Sequence, residues 1–270
     1  MKPAWLLFAL TAALYAEVNV QEIVKRSVQA SDRNWREAPN YAFTERDLEE
    51  KLDSHGKVKA RTFNTYEVLV LEGSEYRRLL KRDDRALNAE EQKAEDAKFK
   101  AERRRRTQES AADKQRRIGK YEKERQQDHA MMREMTDAFV FKLVGEAAVN
   151  GRKCWMLDAT PKPGYVAKTR DTKVLTGMRG KMWVDQETYQ WAKVEAEVIH
   201  PVSFYAVATV GPGTKFSLEQ ESVGDGVWLP KRFAVRVNAS VFFLSRNSLD
   251  DESYWGYRRV AGEEARVAHN

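Results

Sequence analysis

The sequence predicts an α+β protein that consists mainly of antiparallel β-structure, with about ten strands. Segments in which apolar and polar residues alternate recur along most of the chain, and short turns join them. Alternation is typical of strands with one covered face, and short connections favour antiparallel pairing. Two helical stretches, one amphipathic and one highly charged, interrupt the strands. We therefore expect one large sheet with few helices.

The first sixteen residues predict a secretion signal. Lys2 supplies the positive start, Ala4 to Ala13 form an apolar core, and Leu14-Tyr15-Ala16 form the exit. The alternative is a membrane anchor, but the apolar run is about a dozen residues and a spanning helix needs roughly 20. We therefore expect a cleaved signal peptide over 1–16 and a single β domain over 17–270.

Export to the periplasm follows from this signal. The single cysteine, Cys154, lies far from the cleavage point, so no lipid anchor is expected. The formal charge of the chain is +6, and removing Lys2 leaves +5. No nucleic-acid motif interleaves aromatic residues with the basic run. We therefore expect no nucleic-acid partner; anionic lipid or envelope polymer is the more plausible counter-charge, with peripheral membrane contact.

The first elements of the mature chain are one helix and three strands. Val20, Ile23, Val24 and Val28 fall at helical spacing and predict an amphipathic helix over 20–31. Short Gly-containing turns then separate three strands, near 41–52, 58–71 and 75–81.

A charged segment over residues 88–135 follows. It holds fourteen Lys or Arg and eleven Asp or Glu residues. Acid-before-base pairs at a spacing of four residues, such as Asp96 and Lys100, support a solvated helix. We expect an exposed helical insertion; the alternative is a disordered charged segment.

Strands resume after Asp137. Asn150-Gly151 is a strong hairpin signal between the first two of them. A short helix is expected over 168–178. The predicted strands lie near 139–149, 152–160, 180–186, 189–199, 214–223, 227–244 and 252–260.

One face of this sheet is apolar. With too few helices to cover it, the sheet either closes into a filled core or curls around a cavity, and alternation alone leaves both open. In a curled sheet this face would bind a hydrophobic ligand. The candidate ligand-binding residues are Phe43, Tyr66, Val68, Phe141, Leu143, Met182, Val184, Val194, Phe216, Leu218, Phe233 and Val235.

No motif predicts catalysis. The four histidines have no metal-ligand spacing, and no nucleophile elbow, phosphate loop or dinucleotide fingerprint occurs. We therefore expect a protein that is not an enzyme and that uses no cofactor and no metal.

Several motifs resemble a known family. Arg179-Gly180-Lys181-Met182-Trp183-Val184-Asp185 and the strand after it are similar to the LolA/LolB-like outer-membrane lipoprotein-sorting superfamily. The segments 141–146, 159–165 and 227–230 resemble an uncharacterised bacterial branch of that group. The similarity covers most of the mature chain.

The resemblance implies a curled, half-open β-barrel with a helical lid, whose concave face holds a lipid or a lipoprotein acyl chain. The insertion over 88–135 departs from the well-known carriers of this group. Our leading hypothesis is a periplasmic carrier; the alternative is an interaction or sensor module in which 88–135 recruits an envelope protein and the barrel is scaffold.

Overall fold

The computed structural model describes residues 19–204, 208–241 and 244–260. The signal peptide expected over 1–16 lies outside these residues. Within them, none of the helices is long and apolar enough to cross a membrane.

Three α-helices and fifteen strands are formed by the described residues. The helices are α1 (Val20–Glu37), α2 (Ala89–Gln108) and α3 (Ala111–Ala138), with 3-10 turns at Ala38–Asn40 and Asp171–Gly177. The strands are β1 (Tyr41–Leu52), β2 (Val58–Leu71), β3 (Ser74–Arg82), β4 (Arg85–Ala86), β5 (Phe139–Val149), β6 (Arg152–Pro161), β7 (Met178–Asp185), β8 (Trp191–Val198), β9 (Val202–Phe204), β10 (Ala208–Val210), β11 (Lys215–Gly224), β12 (Val227–Val237), β13 (Ala239–Val241), β14 (Leu244–Ser245) and β15 (Asn247–Arg259).

Eleven strands form one antiparallel sheet in the order β4-β3-β2-β1-β15-β12-β11-β8-β7-β6-β5. The other four form a small sheet in the order β14-β13-β10-β9. The two edge strands of the large sheet, β4 and β5, do not pair with each other, so the sheet is open. The predicted α+β fold, a half-open antiparallel sheet with helices, is confirmed.

Two strand boundaries differ from the prediction. The strand expected over 227–244 ends at Val237, because the next residue, Asn238, forms hydrogen bonds with the loop before β11 instead of continuing the strand pairing. The backbone N of Asn238 donates a hydrogen bond to Thr214 Oγ1 (2.9 Å), and its Nδ2 donates one to the Pro212 carbonyl (2.8 Å). The chain after it enters the small sheet, which was not predicted. The last strand begins at Asn247 rather than near 252.

The Trp183-Val184-Asp185 motif fixes the β7–β8 turn. Asp185 is 1% exposed, and its Oδ1 accepts hydrogen bonds from the backbone N and Oγ1 of Thr188, at 2.8 and 2.6 Å. Arg152 Nε donates to Oδ2 at 2.6 Å. Burial raises the pKa of Asp185, but the hydrogen bonds from Arg152 and Thr188 outweigh this and hold it below its usual range.

Helices α1 and α3 lie on one face of the sheet, which we call the covered face. Ile23 of α1 and Met132 and Met135 of α3 pack on the sheet residues Leu157 and Met182. The two helices also contact each other, because Trp35 stacks on His129 with ring centroids 4.4 Å apart.

The charged segment forms two helices, and the expectation that it is exposed is wrong where its side chains pack on the sheet. Sequence reasoning missed this because Met131, Met132 and Met135 stand at the end of a strongly polar run. Their apolar side chains suffice to dock α3.

Helix α2 is fixed to the β2–β3 turn by one buried side chain. Arg106 is 8% exposed, and its Nη1 donates to the carbonyls of Leu71 (2.8 Å) and Ser74 (2.9 Å). Its Nη2 donates to the carbonyl of Glu75 (3.2 Å), and Glu102 accepts from its Nε at 2.6 Å. The guanidinium thus links the C-terminal part of α2 to three backbone carbonyls at the β2–β3 turn.

Candidate functional site

The covered face is continuous across nine strands. In the central row, each residue is the direct cross-strand partner of the next, so all their side chains lie on one face. The row reads Leu143, Leu157, Met182, Val194, Leu218, Phe233, Glu252, Asp47 and Asn64. It is apolar from β5 to β12 and polar from β15 to β2.

The part of the face on β5 to β8 is filled. Met182 is 5% exposed and Val184 is fully buried, and both belong to a core cluster with Ile23 of α1. Phe141, Leu143 and Val194 pack against the clusters. The remaining cavity here has a volume of about 40 Å³ and lies next to Met135. These five candidate residues therefore form core beneath the helices.

The part of the face on β11 and β12 is more open. Phe216, Leu218, Phe233 and Val235 are all half-buried, and they form two directly paired positions, Phe216 with Val235 and Leu218 with Phe233. Phe216 touches the edge of one core cluster. The other three belong to none of the core clusters found among the described residues.

The candidates on β1 and β2 lie on the same face at its far side. Phe43 is paired with Val68, which is 2% exposed. The Phe43 ring lies against Tyr254, at a centroid distance of 5.8 Å, and Tyr257, at 5.2 Å. Tyr66 lies under the guanidinium of Arg77, 4.2 Å from the ring centroid.

Carboxylates occupy the covered face between these aromatic residues and Phe233. Glu45 pairs across the strands with Tyr254, and Asp47 pairs with Glu252. Arg77 of β3 forms ion pairs with both Glu45 and Asp47. The distance from Arg77 Nη2 to Asp47 Oδ2 is 2.9 Å. One cation thus serves two carboxylates, and Glu252 and Glu75 lie near enough to affect the pKa of Glu45.

Burial changes the electrostatics of this polar half. Glu45 is 7% exposed, and desolvation raises its pKa to about 7, although Arg77 opposes the shift. Desolvation likewise raises the pKa of Glu75 and Glu252, and that of Tyr121 on α3 to about 12. Glu75 is exposed and Glu252 half-buried, so water still reaches part of this acidic surface.

The sequence analysis missed this polar half, although a signal was present. Glu45, Asp47 and Glu49 follow Phe43 at a period of two, so they share its face. Asp250 and Glu252 repeat the pattern in β15, opposite Glu49 and Asp47. Alternation assigns a buried face most readily in strands whose apolar residues dominate one parity, and β1 and β15 are not such strands.

The described residues hold no group of three or more His, Cys, Asp or Glu side chains arranged to bind a metal ion. The carboxylates of the covered face are spread along strands and partly engaged by Arg77. What the face offers chemically is apolar surface beside negative charge.

Solved structures with a distant likeness to this chain cover nearly all of its length. One is a DUF1329 family protein from Desulfovibrio piger, with 14% identity, a TM-score of 0.34, and coverage of 93% of this chain and 97% of that one. Another is a LolA superfamily protein from Nitrosomonas europaea, with 11% identity, a TM-score of 0.33, and coverage of 94% and 99%.

The third is the MucA/MucB complex of Pseudomonas aeruginosa, with 14% identity, a TM-score of 0.25, and coverage of 90% of this chain and 96% of that one. No protein-family model and no curated protein matches the sequence. The structural matches thus include the group that the sequence motifs resemble, at a distance too great to define a ligand or a partner.

Proposed function

We propose that this protein is an exported, non-catalytic binding protein or carrier that holds a lipid or lipoprotein acyl chain on its covered face, in the periplasm. The observation that carries the proposal is the half-buried apolar surface of Leu218, Phe233 and Val235. This surface lies on the same face as the core residues of β5 to β8, but its three residues belong to none of the core clusters among the described residues.

This surface has the chemistry that an acyl chain requires. Covering apolar side chains stabilises a complex by roughly 25 cal/mol per Å², so no covalent chemistry is needed for affinity. The filled half beneath α1 and α3 supplies a rigid wall, and Tyr254 and Phe43 supply aromatic surface on the other side. A chain lying along β11 and β12 would contact both.

Lipid analysis of the native protein tests the proposal. The full chain is purified from its own cells without detergent, extracted with organic solvent and analysed by mass spectrometry. We expect stoichiometric retention of an acyl-chain lipid or an acylated peptide. Recovery of apolar ligand no higher than from a matched protein without such a face would contradict the proposal.

A second candidate function is recruitment of an envelope protein through residues 88–135. It is favoured by the rigid attachment of α2, because Arg106 fixes the helix while Arg103 and Arg104 stay exposed. Site-specific photo-crosslinking in living cells from position 100, which is exposed and lies one turn before Arg104, tests it. A defined adduct that disappears in a variant with Arg103→Glu and Arg104→Glu is expected for this function, and it would not appear for a carrier alone.

A further inference from the structure

The face opposite the helices, which we call the outer face, carries an open trough of about 590 Å³. It is far larger than the 40 Å³ cavity under α3. The trough crosses the sheet from β6 to β15, which at roughly 4.8 Å per strand spacing is about 24 Å. It is lined by Asp158, Ala159, Thr160, Arg179, Gly180, Lys181, Glu195, Ala196, Glu197, Lys215, Phe216, Ser217, Ala234, Arg236 and Leu249.

Part of the trough is lined by small side chains of the outer face. Ser217 of β11 and Ala234 of β12 are paired with each other, and both line the trough. These small side chains leave room beside the charged side chains of the next row, two residues away along each strand.

That next row contains a pair of like charges. Lys215 and Arg236 are direct cross-strand partners, and both are exposed. Like charges directly opposite each other on a sheet destabilise it. An anion bound between two such cations would remove this repulsion.

Neighbouring carboxylates do not neutralise the pair. Glu197, the other cross-strand partner of Lys215, is engaged by Arg179, whose Nε and Nη2 donate to Glu197 Oε1 at 2.9 and 2.6 Å. On the other side, the partner of Arg236 is the apolar Leu249. Among the described residues, no carboxylate lies within 4.0 Å of the charged nitrogens of Lys215 or Arg236.

From these observations we infer that the trough is a second binding site, distinct from the covered face, for an anionic amphiphile. Lys215 and Arg236 bind its phosphate headgroup, and the apolar side chains of Ala234 and Leu249 accept its hydrocarbon chain. A guanidinium and an ammonium on neighbouring strands present several donors to phosphate oxygens. The hydrocarbon chain requires these apolar side chains, which a free phosphate ion would not use.

Calorimetric titration with dodecyl phosphate below its critical micelle concentration tests this inference. We expect saturable binding to the wild type that weakens as salt is raised, because salt screens exposed charges. Lys215→Gln and Arg236→Gln should each weaken it about tenfold, as expected for the loss of one charge-assisted hydrogen bond. Lys142→Gln, on the outer face of β5 beyond the trough, is the matched control and should leave it unchanged.

Two further ligands separate the headgroup from the chain. Inorganic phosphate should bind much more weakly than dodecyl phosphate. The affinity for dodecyltrimethylammonium should be the same in the wild type and in the two trough variants. Each trough variant should also unfold at a denaturant concentration no lower than that of the wild type, since it removes one of two repelling charges. A purely structural role for either residue would instead lower that concentration.

The two binding sites can be told apart by one more variant. Leu218→Glu alters the covered face and should leave dodecyl phosphate binding intact. If Leu218→Glu abolishes that binding while the two trough variants do not, the amphiphile binds on the covered face and the inference is wrong. Absence of dodecyl phosphate binding to the wild type would also overturn it, without bearing on lipid retention at the covered face.

Discussion

Phe233 of β12 lies directly opposite Glu252 of β15, and this pair marks the boundary at which the covered face changes from apolar to acidic. On one side of the boundary the row continues through Leu218 into core. On the other side it continues through Asp47, which shares Arg77 with Glu45. A ligand on β11 and β12 would therefore have hydrocarbon-like surface at one end and negative charge at the other.

Glu45 should make stability depend on pH. Its folded pKa, about 7, lies above the unfolded value near 4.5 because burial disfavours its charge. The folded state therefore binds more protons between these values, so the contribution is complete below about pH 4.5 and is lost as pH rises through 7.

Glu45→Gln removes that titration, so stability should fall less between pH 5 and pH 8 than in the wild type. The difference should be at most about 3 kcal/mol, and water that reaches Glu45 would reduce it. Urea unfolding at both pH values measures it. Glu49→Gln, an exposed position of the same strand, is the control. Equal pH dependence for wild type and Glu45→Gln would contradict the assignment.

The alternation of residues was enough to predict the sheet and the shared face. All twelve candidate residues lie on the covered face, because strand parity is a local property of the chain. Whether such a face is open or filled depends on which segments fold back on it. Met135 belongs to a helix whose sequence is polar overall, so its docking onto Met182 could not be read from periodicity.

The acidic half could not be recognised from composition for a related reason. Glu45 and Glu252 look like solvent-facing residues when their strands are considered one at a time. Glu45 is buried and Glu252 half-buried in a part of the sheet where β15 lies between β1 and β12. Strand order of this kind is set by long-range pairing. The binding role of the twelve residues stays a prediction.

Arg106 should hold α2 in place. Arg106→Ala removes two buried charge-assisted hydrogen bonds, to the carbonyls of Leu71 and Ser74, which should cost about 3 kcal/mol of unfolding free energy. Arg104→Ala, two residues earlier and exposed, should cost less than about 0.5 kcal/mol. Chemical denaturation measures both. Equal stabilities for the two variants would show that α2 does not depend on this contact.

Asn34 should be essential for the position of α1. Its Nδ2 donates to Gln190 Oε1 at 2.7 Å, and its Oδ1 accepts from the backbone N of Trp228 at 3.1 Å. All three residues are buried, so Asn34→Ala should cost about 2 kcal/mol by leaving both groups unpaired. The exposed neighbour Arg33→Ala is the control. Thermal unfolding should show a clear fall in Tm for Asn34→Ala alone.

Leu218 decides whether the covered face is open enough to bind a ligand. In Leu218→Glu the carboxylate would stand between Val194 and Phe233, where an acyl chain is proposed to lie. Because Leu218 is half-buried and outside the core clusters, water can reach the new charge, and the loss of unfolding free energy should be about 1 kcal/mol.

Binding of a neutral fluorescent acyl-chain probe to Leu218→Glu should be weaker than to the wild type by much more than tenfold. A neutral probe is needed because Glu252 and Asp47 would repel a fatty-acid carboxylate. Val140→Glu, which places the same charge on the outer face of β5 opposite the uncharged Thr160, should change neither quantity. If Leu218→Glu instead costs several kcal/mol, as expected for a charge buried without a partner, and the wild type binds no probe, then β11 and β12 are filled core. The carrier function would then be excluded, and recruitment through residues 88–135 would be the remaining candidate.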